Sequence, residues 1–332
     1  MTDWKVFHGN CAPHDALVEL PDPPPWRFSR KPIELNRPKD LEINAEASRA
    51  KPFLPSEGMV IAVNASLYLR RPLLLTGKPG TGKSTLIAKV AHELKLGPVI
   101  RWPINSRSTV RGGVYEYDAV GRLQAGKNED PPVEAFLTLG PLGTALMAQS
   151  WPRPLLIDEI DKSDLDFAND LLNVIEEGYY EIPELRRLGK DRKTVTVRDS
   201  LGRMVTIEEG RISSGQFPFV VMTSNAEREF PPPFLRRCVR LNIDPPNADE
   251  LQKIVDSHLK QFAKTLKPED ITALIKDFDR RRRENQEVAT DQLLNAVFLT
   301  VAMRGSQGRS FKQEELTTLR ENLFRQLSGP AA

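Results

Sequence analysis

The clearest chemistry in this chain is phosphate binding. Residues 77–85 read GKPGTGKST and fit the spacing GxxxxGK[ST]. Glycines in such a segment, which we call the phosphate loop, let the backbone curl so that several N–H groups converge on phosphate oxygens. Lys83 is expected to reach the β- and γ-phosphates, and the Ser84 hydroxyl to bind Mg²⁺. An ordinary glycine-rich turn is the alternative. The residues expected to hold the nucleotide are Gly77, Lys78, Pro79, Gly80, Thr81, Gly82, Lys83, Ser84 and Thr85.

Two carboxylates follow a second apolar run. Residues 153–161 read RPLLIDEID, which is typical of a buried parallel strand with acids at its carboxyl end, where open α/β sheets bind ligands. We expect Asp158 to orient Mg²⁺ through its water shell and Glu159 to position and polarise an attacking water. Alternatively, the two acids are a helix N-cap and a surface charge.

A third apolar run, FPFVVMTS over residues 217–224, ends directly before Asn225. The run predicts another buried parallel strand. Beside a phosphate loop and an acid pair, an Asn at the carboxyl end of a strand is expected to hydrogen-bond the attacking water or the γ-phosphate. The alternative is that Asn225 only begins a turn.

The elements that position these residues are predicted by hydrophobic patterning. Apolar residues 72–76 predict a strand before the phosphate loop, residues 85–96 a helix after it, and residues 99–104 a second strand, and this βαβ unit implies a parallel sheet covered by helices. A helix is expected from the cap Ser56, and a last strand over 239–244. Residues 248–262, 268–282, 291–303 and 312–327 are expected to be helical.

Three further segments carry less chemistry. Residues 1–50 are rich in proline and are expected to pack in extended form on the protein's own core, with a docking peptide anchored by Trp26 and Phe28 as the alternative. Residues 107–132 are expected to form an ordered loop outside the core. Residues 194–199 and 203–208 alternate apolar and polar residues, which predicts a β-hairpin exposed on both faces.

Composition limits the function classes. The 332 residues contain 47 Lys and Arg against 45 Asp and Glu. This small net charge gives no electrostatic reason to expect binding to nucleic acid or to an acidic membrane surface. Cys11 and Cys238 have no Cys or His at metal-ligand spacing, which points away from disulfide scaffolds and zinc sites. With no signal peptide pattern and no 18-residue apolar stretch, we expect a cytoplasmic protein without membrane insertion.

The order of these motifs resembles the AAA+ ATPases, and within them most closely the MoxR-type group. The motifs that carry the resemblance are GKPGTGKS, LLIDEIDK, TSN and PFLRRC. It implies an α/β fold, an AAA+ P-loop αβα core with a parallel five-stranded sheet, followed by a C-terminal helical lid. The expected domains are an extension (1–50), the nucleotide-binding core (51–246) with a helix-2 insert near 107–132 and a β-hairpin near 194–208, and the lid (247–332).

The resemblance also implies a ring-shaped homo-oligomer, usually a hexamer, with ATP at subunit interfaces. Matching PFLRRC to the family places the arginine that completes the neighbouring subunit's site at Arg237, with Arg236 as its competitor. Alternatively, both arginines pair with acidic helices of their own subunit. The chain departs from the family at Gln292, where the lid usually carries an Arg, and Gln can hydrogen-bond a phosphate but has no charge.

The function implied is an Mg²⁺-dependent ATPase that remodels a client protein, with cofactors ATP and Mg²⁺ and with a separate von Willebrand A-domain protein as a candidate partner. One alternative is a nucleic-acid-directed motor that uses Arg107, Arg111 and Lys127, or the arginines at 280–283, as phosphate contacts, and near-neutral charge argues against it. Another is a nucleotide-gated scaffold with negligible hydrolysis.

Overall fold

The chain folds into two compact units. A computed structural model describes residues 4–10, 12–26, 34–126, 131–189, 193–259, 268–284, 288–305, 318 and 322–324. We call the first unit, residues 1–50, 55–76 and 84–242, the sheet unit, and the second, residues 51–54, 77–83 and 243–332, the helical unit. Cys11, Phe28, Lys127 and most of the helix expected over 312–327 lie outside the described residues.

Strands and helices are numbered in chain order. The strands are β1 (Leu73–Thr76), β2 (Ile100–Pro103), β3 (Tyr115–Tyr117), β4 (Leu137–Leu139), β5 (Pro154–Asp158), β6 (Tyr179–Glu181), β7 (Thr194–Arg198), β8 (Met204–Glu208), β9 (Arg211–Ser213), β10 (Phe219–Ser224) and β11 (Val239–Asn242). The α-helices are α1 (Ala47–Ala50), α2 (Glu57–Leu69), α3 (Lys83–Glu93), α4 (Val110–Val114), α5 (Ala119–Ala125), α6 (Pro141–Leu146), α7 (Leu165–Glu177), α8 (Pro183–Arg186), α9 (Pro232–Leu235), α10 (Ala248–Leu259), α11 (Pro268–Arg283) and α12 (Thr290–Gly305). Short 3-10 helices cover Ala16–Glu19, Val133–Phe136 and Ile160–Lys162.

A five-stranded sheet in the order β11-β1-β10-β5-β2 forms the centre of the sheet unit. Every neighbouring pair in it is parallel. The fold class predicted from the sequence, a parallel five-stranded sheet with helices and a helical C-terminal region, is confirmed. Because β10 lies between β1 and β5, the carboxyl ends of these three strands meet at one edge of the sheet.

A second sheet has six strands in the order β3-β4-β7-β8-β9-β6. The predicted hairpin is confirmed, since β7 and β8 pair antiparallel from Thr194 with Glu208 to Arg198 with Met204. Its expected exposure on both faces is wrong. Val195, Val197 and Ile207 are buried in the main hydrophobic core, because the hairpin continues a sheet that covers this core instead of standing alone in solvent.

The expectation of a loop outside the core at residues 107–132 is also wrong. This segment forms α4, β3 and α5, and Val114 and Tyr115 are buried in the main core. The Tyr115 hydroxyl donates a 2.8 Å hydrogen bond to Glu184, so a polar residue enters the core with its polar end satisfied. Burial and this hydrogen bond raise the pKa of Tyr115 to about 12. The polar and glycine-rich composition conceals these buried positions.

The N-terminal segment packs on the sheet unit, as predicted. Phe7 and Leu17 are completely buried. The Asn64 side chain accepts hydrogen bonds from the backbone N–H groups of Val6 (2.8 Å) and Phe7 (3.0 Å), and it donates to the Phe7 carbonyl at 2.7 Å. Trp26, one anchor of the alternative docking peptide, is 78% exposed.

The helical unit has its own core. Ser56 caps α2 of the sheet unit as predicted, whereas α10, α11 and α12 enclose a separate apolar cluster that includes Leu251, Leu274, Phe278 and Leu293. Among the helices in the described ranges, none is long and apolar enough to cross a membrane.

Replacement of Asn64 by Ala should destabilise the protein and release its N-terminal segment. The change leaves the buried N–H groups of Val6 and Phe7 without acceptors, which costs about 2–4 kcal/mol of unfolding free energy. Urea denaturation measures this loss. Asn44→Ala, at an exposed position, is the matched control and should leave the midpoint unchanged. Equal midpoints for both variants would contradict the anchoring role of Asn64.

Candidate functional site

The phosphate loop is shaped by glycines with positive φ. Gly77 has a φ of 147° and Gly82 a φ of 88°. A Cβ atom on Gly77 would lie 2.4 Å from the Ile243 carbonyl oxygen, and one on Gly82 would lie 2.6 Å from the Phe53 ring. Larger residues therefore cannot replace either glycine without moving its neighbours. These constraints hold the backbone in the curled form that the motif predicts.

The Lys83 side chain hydrogen-bonds the backbone of its own loop. Its Nζ donates to the carbonyl oxygens of Gly77 (2.6 Å) and Lys78 (2.9 Å), and the residue is only 7% exposed. The ammonium group therefore lies beside the loop's own backbone. An anion in the loop would meet a cation that is already positioned.

The Ser84 hydroxyl connects the start of α3 to the acid at the end of β5. It donates a 2.8 Å hydrogen bond to Asp158 Oδ1, and the Thr223 hydroxyl of β10 donates to the same oxygen. Thr223 Oγ1 also accepts the backbone N–H of Glu159 at 3.0 Å. Thr223 thus fixes both acids, a role that sequence reasoning missed. The only signal for it was its place two residues before Asn225.

Glu159 has an unusual backbone for a residue with a side chain. Its φ of 59° and ψ of 49° lie in the left-handed region, which non-glycine residues rarely adopt and which is often retained at functional sites. Its carboxylate is 42% exposed and accepts a 2.5 Å hydrogen bond from Lys162 Nζ. This hydrogen bond raises the pKa of Lys162.

Asp161 is a second residue that sequence reasoning did not assign. It is 4% exposed, and its Oδ2 accepts the backbone N–H groups of Asn225 (3.0 Å) and Glu227 (3.3 Å). Ala226 between them has a φ of 62°, again in the left-handed region. Asp161 therefore fixes the turn that carries Asn225. The signal was a third acid in the DEID sequence, one turn of 3-10 helix after Asp158.

Ser84, Asp158, Glu159 and Asn225 thus come together at the carboxyl edge of the parallel sheet. The Ser84 hydroxyl and the Asp158 carboxylate are hard oxygen ligands on adjacent elements, so they fit Mg²⁺, which binds one or two carboxylates together with phosphates and waters. Among the described residues no group of three or more His, Cys, Asp or Glu side chains is placed to hold a metal ion.

The two candidate arginines have different surroundings. Arg237 Nε lies 3.3 Å from Glu176 Oε2, and its Nη1 donates to Asn173 Oδ1 at 3.0 Å, both on α7 of the same chain. The Arg237 contacts match the alternative that the sequence left open, so a role across a subunit interface stays a prediction. Arg236 is exposed, and its carbonyl accepts a 2.9 Å hydrogen bond from Arg71.

Gln292 performs a structural task. Its Oε1 accepts the backbone N–H of Ala289 at 2.8 Å, across the first turn of α12. A side chain that reaches back to an unpaired N–H stabilises the start of a helix. This contact gives the neutral amide a structural role at the position where the resemblance predicts an Arg.

Most arginines named for a nucleic-acid path are ion-paired within the chain. Arg111 lies 2.6 Å from Glu184, and Arg280 and Arg281 lie 2.5 Å and 3.1 Å from Asp277. Paired guanidinium groups offer less net charge to a polyanion than a free positive path would. The geometry therefore does not favour a nucleic-acid motor.

Comparison with known proteins supplies the family. No curated protein matches the chain. Among solved structures, domain III of the replication initiation protein DnaA from Thermotoga maritima is similar, with 16% identity and a TM-score of 0.45 over 84% of this chain and 97% of that one. The model of the AAA domain (dynein-related subfamily) matches residues 72–238, from the residue before β1 to the residue before β11, including the phosphate loop and the acids. The chain therefore belongs to the AAA domain family, as the resemblance of its motifs to AAA+ ATPases implies.

Proposed function

We propose that this protein is an Mg²⁺-dependent ATPase of the MoxR type, which hydrolyses ATP at the subunit interfaces of a ring oligomer to remodel or activate a client protein. The observation that carries the proposal is the 2.8 Å hydrogen bond between Ser84 and Asp158. It places the hydroxyl of Ser84, near the end of the phosphate loop, against the acid of β5, and phosphoryl-transfer sites of this class use such a pair to hold the metal.

Each residue then has a task. The loop N–H groups bind the phosphates, and Lys83 exchanges its carbonyl partners for phosphate oxygens. Ser84 and Asp158 would hold Mg²⁺, which when bound supplies positive charge that neutralises the phosphates. Glu159 orients a water for attack on the γ-phosphorus while the bond to the β-γ bridging oxygen breaks, and Asn225 hydrogen-bonds this water or the γ-phosphate.

Glu159 must change its partner for this step. In the structure its carboxylate is bound by Lys162, and both side chains are more than 40% exposed. An exposed ion pair contributes little to stability, so a nucleotide and a water can replace it at low cost. The left-handed backbone of Glu159 keeps the side chain at the end of β5 whichever partner it has.

The proposed remodelling role rests on the motifs and on exposed apolar side chains of α5 and of the β7–β8 hairpin. Short helix α5 exposes Val120 (67%) and Leu123 (78%), and the β7–β8 hairpin exposes Met204 (60%). Large exposed apolar side chains are suited to contact another protein. We propose that these segments touch the client and that any von Willebrand A-domain partner is a separate chain. The domain boundaries at 50/51 and 246/247 belong to the same proposal.

Two substitutions separate binding from hydrolysis. Lys83→Ala should abolish ATP binding, whereas Glu159→Gln should leave binding intact and lower turnover about 100-fold or more, because the amide cannot polarise the water. Calorimetric titration with Mg²⁺ and ATP and a phosphate-release assay measure the two effects. Glu177→Gln, an exposed acid on α7, is the matched control. Full turnover by Glu159→Gln would remove Glu159 from the mechanism, and a wild-type protein that binds ATP without hydrolysing it would favour the nucleotide-gated scaffold.

A shared active site makes a second prediction. Arg237→Ala should lose about 10³-fold in turnover, as expected for a guanidinium supplied to a neighbour's γ-phosphate. Wild-type turnover per subunit should rise with protein concentration, and mixing Arg237→Ala with Lys83→Ala should restore part of the activity. Arg240→Ala on β11 is the control for an exposed arginine in the same region. Turnover that is independent of concentration and of Arg237 would leave Arg237 with only its contacts to α7.

A further inference from the structure

A pocket of about 200 Å³ lies within the helical unit, beside the phosphate loop. One wall is formed by Lys78, Pro79 and Thr81 of the loop. Arg282 and Arg283, at the end of α11, also line the pocket. Two guanidinium groups therefore share one pocket with a segment built to bind phosphate.

Arg282 is partly buried and forms no ion pair within the described residues. It is half-buried, its Nη1 donates to the Pro246 carbonyl at 2.7 Å, and its guanidinium lies 5.8 Å from the centroid of the Phe278 ring. No carboxylate of the described residues lies within 4.0 Å of it. Burial lowers the pKa of Arg282 against the opposing charge of Asp279. A partly desolvated cation whose partner is a neutral carbonyl is stabilised by an anion that enters the pocket.

Arg283 adds a second cation to the lining of the pocket. It lies 2.7 Å from Asp279 and its side chain is 79% exposed. A guanidinium has five N–H donors, so pairing with one carboxylate oxygen leaves donors for a second acceptor. The other arginines of the run, Arg280 and Arg281, pair with Asp277 and do not line the pocket.

Helix α12 contributes no positive charge to this pocket from its described first turn. Gln292 is bound to the N–H of Ala289 and brings no charge to the loop. Val288, which precedes α12, contributes an apolar side chain to the pocket wall, and Thr290, the first residue of α12, contributes a hydroxyl. Within the described part of the helical unit, the cations that line this pocket beside Lys78 thus come from α11.

We propose that Arg282, assisted by Arg283, binds the phosphate groups of a nucleotide held on the phosphate loop. This proposal rests on the proposed function, because it assumes that the loop binds a nucleotide. It makes Arg282 a positioning residue that responds to the number of phosphates. The end of α11, and not the start of α12, then reports the nucleotide state to the helical unit.

The test measures the affinity of the full chain for ATP, ADP and AMP by calorimetry with Mg²⁺. Arg282→Gln should weaken ATP binding about tenfold or more, the effect of losing one charged hydrogen bond, and should weaken AMP binding less. Arg282→Lys keeps the charge and should recover part of the affinity. Arg280→Gln removes a charge from the same helix outside the pocket and is the matched control.

Two results would overturn the proposal while the proposed function stands. In the first, Lys83→Ala loses ATP affinity, whereas Arg282→Gln, Arg283→Gln and the double variant keep it. In the second, Arg282→Gln weakens the binding of ATP and AMP equally, which would place the guanidinium on the nucleoside. If the wild type binds no nucleotide, both the inference and the proposed function fail. Should Arg282→Gln not fold, the exposed Arg283→Gln decides, and its ATP affinity should fall about threefold or more while its AMP affinity stays constant.

Discussion

One carboxylate joins the three elements on which the site depends. Asp158, at the end of β5, accepts hydrogen bonds from Ser84 in the first turn of α3 and from Thr223 in β10. The parallel order β1-β10-β5 makes this possible. It brings the end of β10, the start of helix α3 after β1, and the acid at the end of β5 to one edge of the sheet. Changing the register of β5 by one residue would turn Asp158 to the other face and separate all three.

The parallel sheet and most of the site could be predicted from sequence because their signals are local. Strands buried on both faces read as continuous apolar runs, which is how β1, β5 and β10 were identified. The phosphate loop is a spacing motif, and its glycines are required by nearby backbone. Strands β3 and β4 were missed because each has three residues and is defined by a partner 20 or more positions away.

The remaining errors and omissions share one physical cause, which is that the partner of a polar side chain is chosen by the fold. Thr223 and Asp161 bind backbone N–H groups about 65 positions away, so no local pattern marks them. Arg237 pairs with Glu176 on α7, which is one of the two alternatives that the sequence left open, and its role across a subunit interface stays a prediction. The hairpin's buried face likewise depends on the second sheet, of which the sequence showed only β7 and β8.

The arginines that end α11 need no ligand to be tolerated. Cations at the carboxyl end of a helix interact favourably with the helix dipole, and Asp277 and Asp279 lie one turn before them. This local compensation lets Arg282 be half-buried although its hydrogen-bond acceptor among the described residues is the neutral Pro246 carbonyl. A pocket whose cations are partly compensated by their own helix can stay formed before an anion arrives. Under our proposal, the affinity of this pocket for phosphate would come from preorganised donors.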